Sequence, residues 1–154
     1  MIVKLTSPKV FTFDKLTVFF KHTDYHGFLH PYNYFEWMSY AREAYFQELV
    51  SNFLELCDRN IKMVTASVEL ELLNDAIFGD PILCKIYSEN VRRLSFDVIF
   101  DFCHKTKGIQ LSRGRQRLTF LDADTVSPAR IPEELKTVVL QYEKKDREAP
   151  LLDK

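Results

Sequence analysis

One long segment with helical spacing, flanked by segments with strand spacing, limits most strongly what this chain can fold into. Apolar side chains recur in steps of three and four between Tyr34 and Leu49, which is the spacing of one face of an α-helix. These side chains are Tyr34, Trp37, Met38, Ala41, Tyr45 and Leu49. Asn33, with Glu36 three residues later, predicts the helix start as a variant of the capping box. The pattern predicts a helix to about Leu49 that resumes through Phe53–Cys57.

Apolar and polar residues alternate in most of the remaining chain, which is typical of β-strands. The predicted elements are a strand over Lys15–His22 before the helix, strands over residues 66–72, 82–89, 96–102 and 110–121 after it, and a last helix over Pro132–Tyr142. Short gaps between the last four strands predict an antiparallel meander. One amphipathic helix and one sheet bury their apolar faces by packing against each other. The expected fold class is therefore α+β, with the sheet curled around the helix.

Length and composition predict a single domain over residues 1–154, with a core of about 15–142 and a frayed tail from Lys144 to Lys154. The 21 Lys and Arg residues nearly balance the 22 Asp and Glu residues, so no basic field draws the protein onto nucleic acid or an anionic membrane. Three widely spaced cysteines argue against a disulfide framework and indicate a reducing compartment. No apolar run reaches the roughly 20 residues that span a bilayer. We expect a cytoplasmic protein with neither a nucleic acid nor a membrane partner.

The densest run of polar and aromatic residues covers positions 20–34, where the first predicted strand ends and the helix begins. A helix N-terminus offers unpaired backbone N–H groups and a partial positive charge, which together hold a developing oxyanion. Asp24 lies just upstream, within folding reach, and supplies the nucleophile or general base that acyl transfer requires. The alternative interpretation is that Asp24 only caps the turn that contains Gly27.

This run carries a resemblance to a known family. Thr23-Asp24-x-x-Gly27, followed by Asn33-Tyr34-x-x-Trp37-x-x-x-Ala41-Arg42-Glu43, resembles the signature of the 4-hydroxybenzoyl-CoA thioesterase family. Residues 114–122 and 131–135 resemble that family's last strand and closing segment. The resemblance implies a hotdog fold, hydrolysis of an acyl thioester on CoA or on an acyl carrier protein, and no metal or redox cofactor. It also implies a homodimer or homotetramer with the acyl site at a subunit boundary, and apolar residues such as Phe19 and Ile99 on the second sheet face agree with a partner subunit.

The resemblance assigns roles to individual positions. Asp24 falls on the family's catalytic carboxylate, as nucleophile or general base, and Gly27 falls on the turn glycine beside the acyl group. Tyr32–Tyr34 fall on the region whose amides polarise the thioester carbonyl. Arg42 matches the helical Ala-Arg pair and an Arg of the enediyne-type polyketide thioesterases, which place Asn where this chain keeps Asp24.

Two positions depart from the family pattern. His22 stands where the family often has Asp or Glu, and Pro31 occupies the position of the polarising amide although proline has no N–H. The oxyanion then requires a neighbouring amide or a side chain, for which His30, Asn33 and Arg42 are the candidates. Removing one oxyanion donor costs about 2.7–4 kcal/mol in other enzymes, so the change at Pro31 matters.

Further patterns leave alternatives open. Arg113 and Arg115, with Arg117, share one strand face and predict either a solvated sheet surface or a positive patch that holds CoA phosphates or an acidic carrier protein. The four-residue spacing of the histidines at 22, 26 and 30 would suit a metal site on a helix, but Gly27 and Pro31 break any helix there. Cys103 and His104 point to opposite faces of a strand, which argues against a Cys–His nucleophile.

Two other functions stay open at this point. A hotdog dehydratase or hydratase requires a histidine beside a carboxylate, for which His22 or His26 beside Asp24 are the candidates. A non-catalytic protein that binds an acyl group or a partner is the second alternative, and Pro31 is the observation that favours it.

Overall fold

The computed structural model describes residues 9–145, which form five strands, three α-helices and one 3₁₀ turn. In chain order these are β1 Phe11–Thr17, the 3₁₀ turn Phe20–His22, α1 Tyr32–Leu49, α2 Phe53–Asp58, β2 Ile61–Leu72, β3 Pro81–Glu89, β4 Ser95–His104, β5 Gln110–Asp122 and α3 Glu133–Gln141. Within this part of the chain, no helix combines the length and the apolar character needed to cross a membrane. Most of the predicted tail lies outside the described residues, but the Lys144 N–H donates to the Ser88 carbonyl at 2.8 Å.

The five strands form one antiparallel sheet in the order β1-β3-β4-β5-β2. The predicted meander holds for β3, β4 and β5, which are neighbours both in the chain and in the sheet. It is wrong for β2, which pairs with β5 at the far edge rather than with β3. The chain therefore passes from one side of the sheet to the other between β2 and β3, and β2 becomes an edge strand.

Helix α1 packs on one face of the sheet and forms the centre of the core. Its predicted apolar face is buried at Tyr34, Trp37, Met38, Ala41 and Tyr45 and half-buried at Leu49. Gly114 of β5 lies directly beneath the Met38 side chain, so that a Cβ at this position would overlap Met38 Sδ. A residue without a side chain is required here because the helix and the sheet approach each other closely.

The first strand lies earlier in the chain than the spacing predicts. It runs over Phe11–Thr17 instead of Lys15–His22, because the chain turns after Phe19. The Phe19 N–H donates to His22 Nδ1 at 2.9 Å, and this bond closes the 3₁₀ turn. The alternation of apolar residues through Val18 and Phe20 does not indicate this turn. The turn depends on the hydrogen bond between the Phe19 backbone and the His22 side chain, which leaves no mark on the apolar pattern.

Two further boundaries differ from the prediction. Helix α1 begins at Tyr32 with Pro31 as its N-cap residue, so Asn33 lies inside the first turn and the expected capping box is wrong. Strand β2 begins at Ile61, five residues before the predicted start, and contains an irregularity between Thr65 and Ser67. Its length of 12 residues is about twice that of an ordinary strand.

Candidate active site

A short hairpin-like loop connects the 3₁₀ turn to the start of α1 and carries the candidate catalytic carboxylate. Thr23 and Leu29 form an antiparallel bridge, and the Asp24 N–H donates to the Phe28 carbonyl at 2.8 Å. Gly27 has a φ of 81°, a left-handed value that favours glycine at the tip of this turn. A Cβ at Gly27 would meet no atom within 4 Å. Within the protomer, therefore, Gly27 is required by its φ and not by a close contact, and its predicted approach to an acyl group stays a prediction.

The Asp24 carboxylate organises this loop and keeps one oxygen available. Its Oδ1 accepts the backbone N–H groups of His26 at 2.9 Å and Phe28 at 3.1 Å. Its Oδ2 has no hydrogen-bond partner among the described residues, and the side chain is exposed in the single protomer. The capping role considered from the sequence is therefore real, and it uses only one of the two carboxylate oxygens.

The backbone amides at the start of α1 differ in availability. Asn33 N–H donates to the His30 carbonyl and Tyr34 N–H to the Pro31 carbonyl, both at 3.1 Å, while Pro31 has no N–H. The Tyr32 N–H makes only a long contact of 3.3 Å with His30 Nδ1. Tyr32 thus carries the amide at this helix start that is most easily released to another acceptor.

Asn33 holds the loop against the helix. Its side-chain Nδ2 donates to the carbonyls of His22 at 2.8 Å and His30 at 2.9 Å, and the side chain is buried. Both amide hydrogens are therefore occupied by backbone acceptors. In this arrangement Asn33 positions the loop that carries Asp24 and has no donor left for an oxyanion.

A cavity of about 250 Å³ opens beside the helix start. Tyr34 and Leu29 line one side of it, and residues 72–76, which follow β2, line the other. The Tyr34 ring packs on Phe102 with ring centroids 5.0 Å apart, and burial raises the pKa of the Tyr34 hydroxyl to about 12, so this hydroxyl stays protonated at neutral pH. Among the predicted substrate-binding residues, Tyr34 lies in the cavity wall, whereas the His30 and Tyr32 rings are exposed and contact each other with centroids 4.7 Å apart.

No sequence pattern indicates the cavity wall at residues 72–76. The Leu29 N–H donates to the Ala76 carbonyl at 2.8 Å, and the N–H groups of Leu73 and Asn74 donate to the Leu111 carbonyl. These bonds join parts of the chain that are far apart in sequence. No local pattern signals them, because the contact arises only once β2 has paired with β5.

Arg42 lies too far along α1 to share a carbonyl with the Tyr32 amide of its own protomer. The two residues are ten positions apart, which corresponds to about 15 Å of helix. Arg42 Nη1 donates to Thr65 Oγ1 at 2.9 Å and to Gln116 Oε1 at 2.8 Å, and burial lowers the pKa of the guanidinium. No carboxylate among the described residues forms a salt bridge with it, although the charge of the neighbouring Glu43 acts to raise the pKa of the guanidinium.

Arg113 and Arg115 lie on the sheet face that points away from α1, within a network of ion pairs. Arg113 Nε is 2.6 Å from Asp101 Oδ1, and Arg115 contacts Glu89 and the buried Asp97 at 2.7 Å each. Burial alone would raise the pKa of Asp97, but hydrogen bonds from Arg117, Asn90 and Arg115 outweigh it and lower this pKa below its ordinary value. The predicted positive patch is therefore neutralised by carboxylates.

The apolar residues expected on this outer face have a different environment. Ile99 is fully buried by side chains of its own chain, and Phe19 lies in the loop after β1 with 57% of its surface exposed. Neither residue forms an exposed apolar patch on the sheet. The expectation of a partner subunit consequently needs another structural basis.

The histidine and cysteine side chains do not come together at one site in the described part of the chain. His22 is buried with Nδ1 occupied by the Phe19 N–H, its ring edge meets Trp37 at a centroid distance of 5.4 Å, and burial lowers its pKa. His26 contributes only its backbone N–H to Asp24, so no histidine ring is hydrogen-bonded to this carboxylate. Within residues 9–145, no three His, Cys, Asp or Glu side chains form a group that would hold a metal ion.

Comparison with known proteins gives one family match. A family model described as the thioesterase-like superfamily matches residues 18–139, which include the candidate loop, α1 and the whole sheet except β1. No curated protein matches the chain.

Solved structures with the same fold include several proteins described as thioesterases. The dynemicin thioesterase superimposes with a TM-score of 0.78 at 17% identity, over 90% of this chain and 99% of that chain. A hypothetical protein from Staphylococcus aureus in complex with CoA has a TM-score of 0.77 at 16% identity, over 89% and 85% of the two chains. A 1,4-dihydroxy-2-naphthoyl-CoA thioesterase from Synechocystis has a TM-score of 0.75 at 14% identity, over 92% and 100%. These matches confirm the predicted hotdog fold.

Proposed function

The chain belongs to the thioesterase-like superfamily of acyl-thioester hydrolases, and we propose that Asp24 is the carboxylate that starts hydrolysis in this member. The observation that carries the proposal is that the two carboxylate oxygens of Asp24 have different hydrogen-bond partners. Oδ1 is fixed by two backbone N–H groups, and Oδ2 is left without a partner among the described residues. A carboxylate held in this way keeps its orientation while it reacts.

The free oxygen of Asp24, Oδ2, can start hydrolysis by either of two routes. As general base, Asp24 Oδ2 removes a proton from a water molecule that attacks the thioester carbonyl carbon. As nucleophile, the same oxygen attacks this carbon and forms an anhydride that water then hydrolyses. In both routes the C–S bond breaks, the thiol leaves with a proton, and the acyl group is released as a carboxylic acid.

The Tyr32 amide is the donor proposed for the oxyanion. It replaces the N–H that is missing at Pro31, and its long contact with His30 Nδ1 is lost at little cost when a charged oxygen arrives. The partial positive charge at the start of the 18-residue helix α1 adds to its effect.

A second copy of the chain is proposed to cover the free edge of β2. This strand is exposed along almost its whole length, including Val64 at 37%, Val68 at 41% and Leu72 at 54%. A long uncovered edge strand is prone to uncontrolled pairing, and antiparallel pairing with a copy of itself removes that edge. The homodimer expected from the sequence thus gains a structural basis, and pairs of such dimers would give the tetramer.

Arg42 contacts the strand that forms this proposed subunit boundary. Its guanidinium reaches Thr65 on the edge strand and has no carboxylate partner among the described residues. We assign Arg42 to the boundary, where its charge faces the partner's acyl site, rather than to the carbonyl bound by its own protomer.

CoA is the carrier favoured by the known relatives of this fold, with acyl carrier protein as the alternative. The Staphylococcus aureus protein holds CoA, the Synechocystis enzyme is a thioesterase for an aromatic acyl-CoA, and the dynemicin thioesterase binds a polyene. The Tyr34 ring, the one aromatic side chain of the described residues that lines the cavity, offers a contact to a conjugated or aromatic acyl group.

The test compares Asp24→Asn with Asp24→Ala. Asn keeps an oxygen acceptor for the two loop N–H groups but provides no base or nucleophile, whereas Ala removes both. If Asp24 is catalytic, both variants lose about 10²–10⁴-fold in kcat for thiol release from a panel of acyl-CoA thioesters. If Asp24 is only a cap, Asp24→Asn keeps its turnover and Asp24→Ala alone loses it, and the proposal is wrong.

The same assay distinguishes the alternatives. A hydratase changes the absorbance of an enoyl thioester without releasing thiol, and a binding protein does neither. The absence of a ring hydrogen bond between a histidine and Asp24 in the described chain gives the hydratase no support.

A further inference from the structure

A second cavity lies at the opposite end of β2 from the cavity beside the helix start. It has a volume of about 240 Å³, and we call it the α2–α3 cavity because Leu56 of α2 and Leu135 of α3 line it. Met63 of β2 and Phe120 of β5 complete its walls. The mechanism proposed above does not use it.

The lining of the α2–α3 cavity accepts an apolar group. Carbon and sulfur atoms dominate its walls, and the one charged side chain that borders it is Lys62. Lys62 Nζ donates to the Cys57 carbonyl at 3.1 Å, so this charge already has a backbone acceptor. A half-open, mostly apolar cavity of this kind suits a hydrocarbon chain.

Within one protomer this cavity is remote from Asp24. Helix α1 has 18 residues and spans about 27 Å. Asp24 lies before its first residue, and α2 follows its last residue. The two sites therefore lie near opposite ends of the central helix.

Pairing of two β2 strands brings these sites together. In an antiparallel pair that is symmetric about the midpoint of Ile61–Leu72, Ile61 lies opposite the partner's Leu72. Ile61 borders the α2–α3 cavity, and Leu72 borders the cavity at the helix start. Each α2–α3 cavity then adjoins the cavity beside the helix start of the other subunit.

We infer that the α2–α3 cavity receives the distal end of a long acyl chain whose thioester is bound at the partner's Asp24. The inference rests on the proposed function and on the β2 dimer. It makes each active site dependent on both subunits and assigns selection for acyl length to α2 and α3.

The first test fills the cavity from an exposed position. Cys57 is exposed and borders the cavity, and Leu54 is an exposed residue of the same helix that does not border it. In Cys57→Trp the ratio of kcat/KM for decanoyl-CoA to that for acetyl-CoA falls about tenfold or more, while Leu54→Trp leaves the ratio unchanged. An unchanged ratio in Cys57→Trp overturns the inference.

The second test uses the native thiol and does not depend on turnover. Cys84 and Cys103 are buried, so iodoacetamide reports on Cys57. Decanoyl-CoA, added to the Asp24→Asn protein, slows alkylation of Cys57, and acetyl-CoA does not. Equal rates with the two thioesters contradict occupation of the cavity by the acyl chain.

The third test asks whether the cavity acts across the dimer. When Asp24→Asn and Cys57→Trp chains are co-expressed, a mixed dimer has one site with an intact carboxylate and an intact cavity from the other chain. Random mixing restores about a quarter of the wild-type turnover of decanoyl-CoA. No gain over the two separate variants excludes the arrangement in trans. Full turnover of acetyl-CoA by Asp24→Asn alone would instead refute the proposed function, so the two failures are distinguishable.

Discussion

Asn33 shows how a single side chain fixes the geometry of the candidate site. Its buried amide donates to two backbone carbonyls, at His22 and His30, on either side of the loop that carries Asp24. Removing the amide leaves both acceptors without this partner and frees the loop from the helix.

We expect Asn33→Ala to lower the free energy of unfolding by about 1–3 kcal/mol and to lower kcat through the displaced loop. Chemical denaturation and thiol release measure the two effects. Ser39→Ala, at an exposed position of the same helix whose hydroxyl contacts only a carbonyl of its own helix, is the control. Unchanged stability in Asn33→Ala would show that the two hydrogen bonds of the Asn33 amide do not stabilise the fold.

We expect His22 to make the fold sensitive to mild acid. Its pKa lies below its ordinary value of about 6.5, first because of burial and then because of Lys21. The unfolded chain therefore binds a proton more readily than the folded chain. The contribution of neutral His22 is fully present above about pH 6.5 and is lost as the pH falls toward the folded-state pKa.

We expect His22→Asn, which keeps an acceptor for the Phe19 N–H, to flatten the decrease in Tm between about pH 7 and 5. His26→Asn, at an exposed position, is the control and keeps the wild-type slope. Parallel pH profiles for the wild type and His22→Asn would mean that other groups cause the acid sensitivity.

At the scale of elements, the contact between α1 and β5 depends on the absence of one side chain. Gly114 lies beneath Met38, which is fully buried. The spacing between the helix and the sheet is therefore set at this point.

We expect Gly114→Ala to destabilise the protein by about 1–3 kcal/mol through overpacking. In the double variant with Met38→Ala the added methyl occupies vacated space, so the combined loss is smaller than the sum of the single losses. A double-mutant cycle of unfolding free energies measures this coupling. Strict additivity would contradict the contact.

At the scale of the whole molecule, we expect the exposed 12-residue strand β2 to determine whether the protein is a monomer or a dimer. Ser67 lies next to the midpoint of Ile61–Leu72, where a symmetric pair places each residue close to its own copy. A charge introduced there meets an identical charge.

We expect Ser67→Glu to weaken the dimer by at least about tenfold in Kd and to reduce kcat/KM, because like charges at an interface repel. Thr137→Glu, on an exposed position of α3, is the control. Analytical ultracentrifugation gives the mass, and thiol release gives the activity. A wild-type protein that is monomeric and fully active would refute the dimer.

The sequence by itself determined those features that depend on local spacing. The face of α1, its end at Leu49, the continuation into α2 and the positions of β3, β4, β5 and α3 follow from periodicity, since each element must bury its own apolar side chains. The motif around Asp24 also predicted the family that the match over residues 18–139 confirms.

Only the tertiary structure decided which strands are neighbours and which polar groups are already paired. The position of β2 at the sheet edge, the pairing of Arg113 with Asp101 and the occupied amide of Asn33 all depend on how separate segments of the chain meet. Hydrogen bonds and ion pairs leave no period in a sequence, because they are satisfied by whichever partner the completed fold brings within reach.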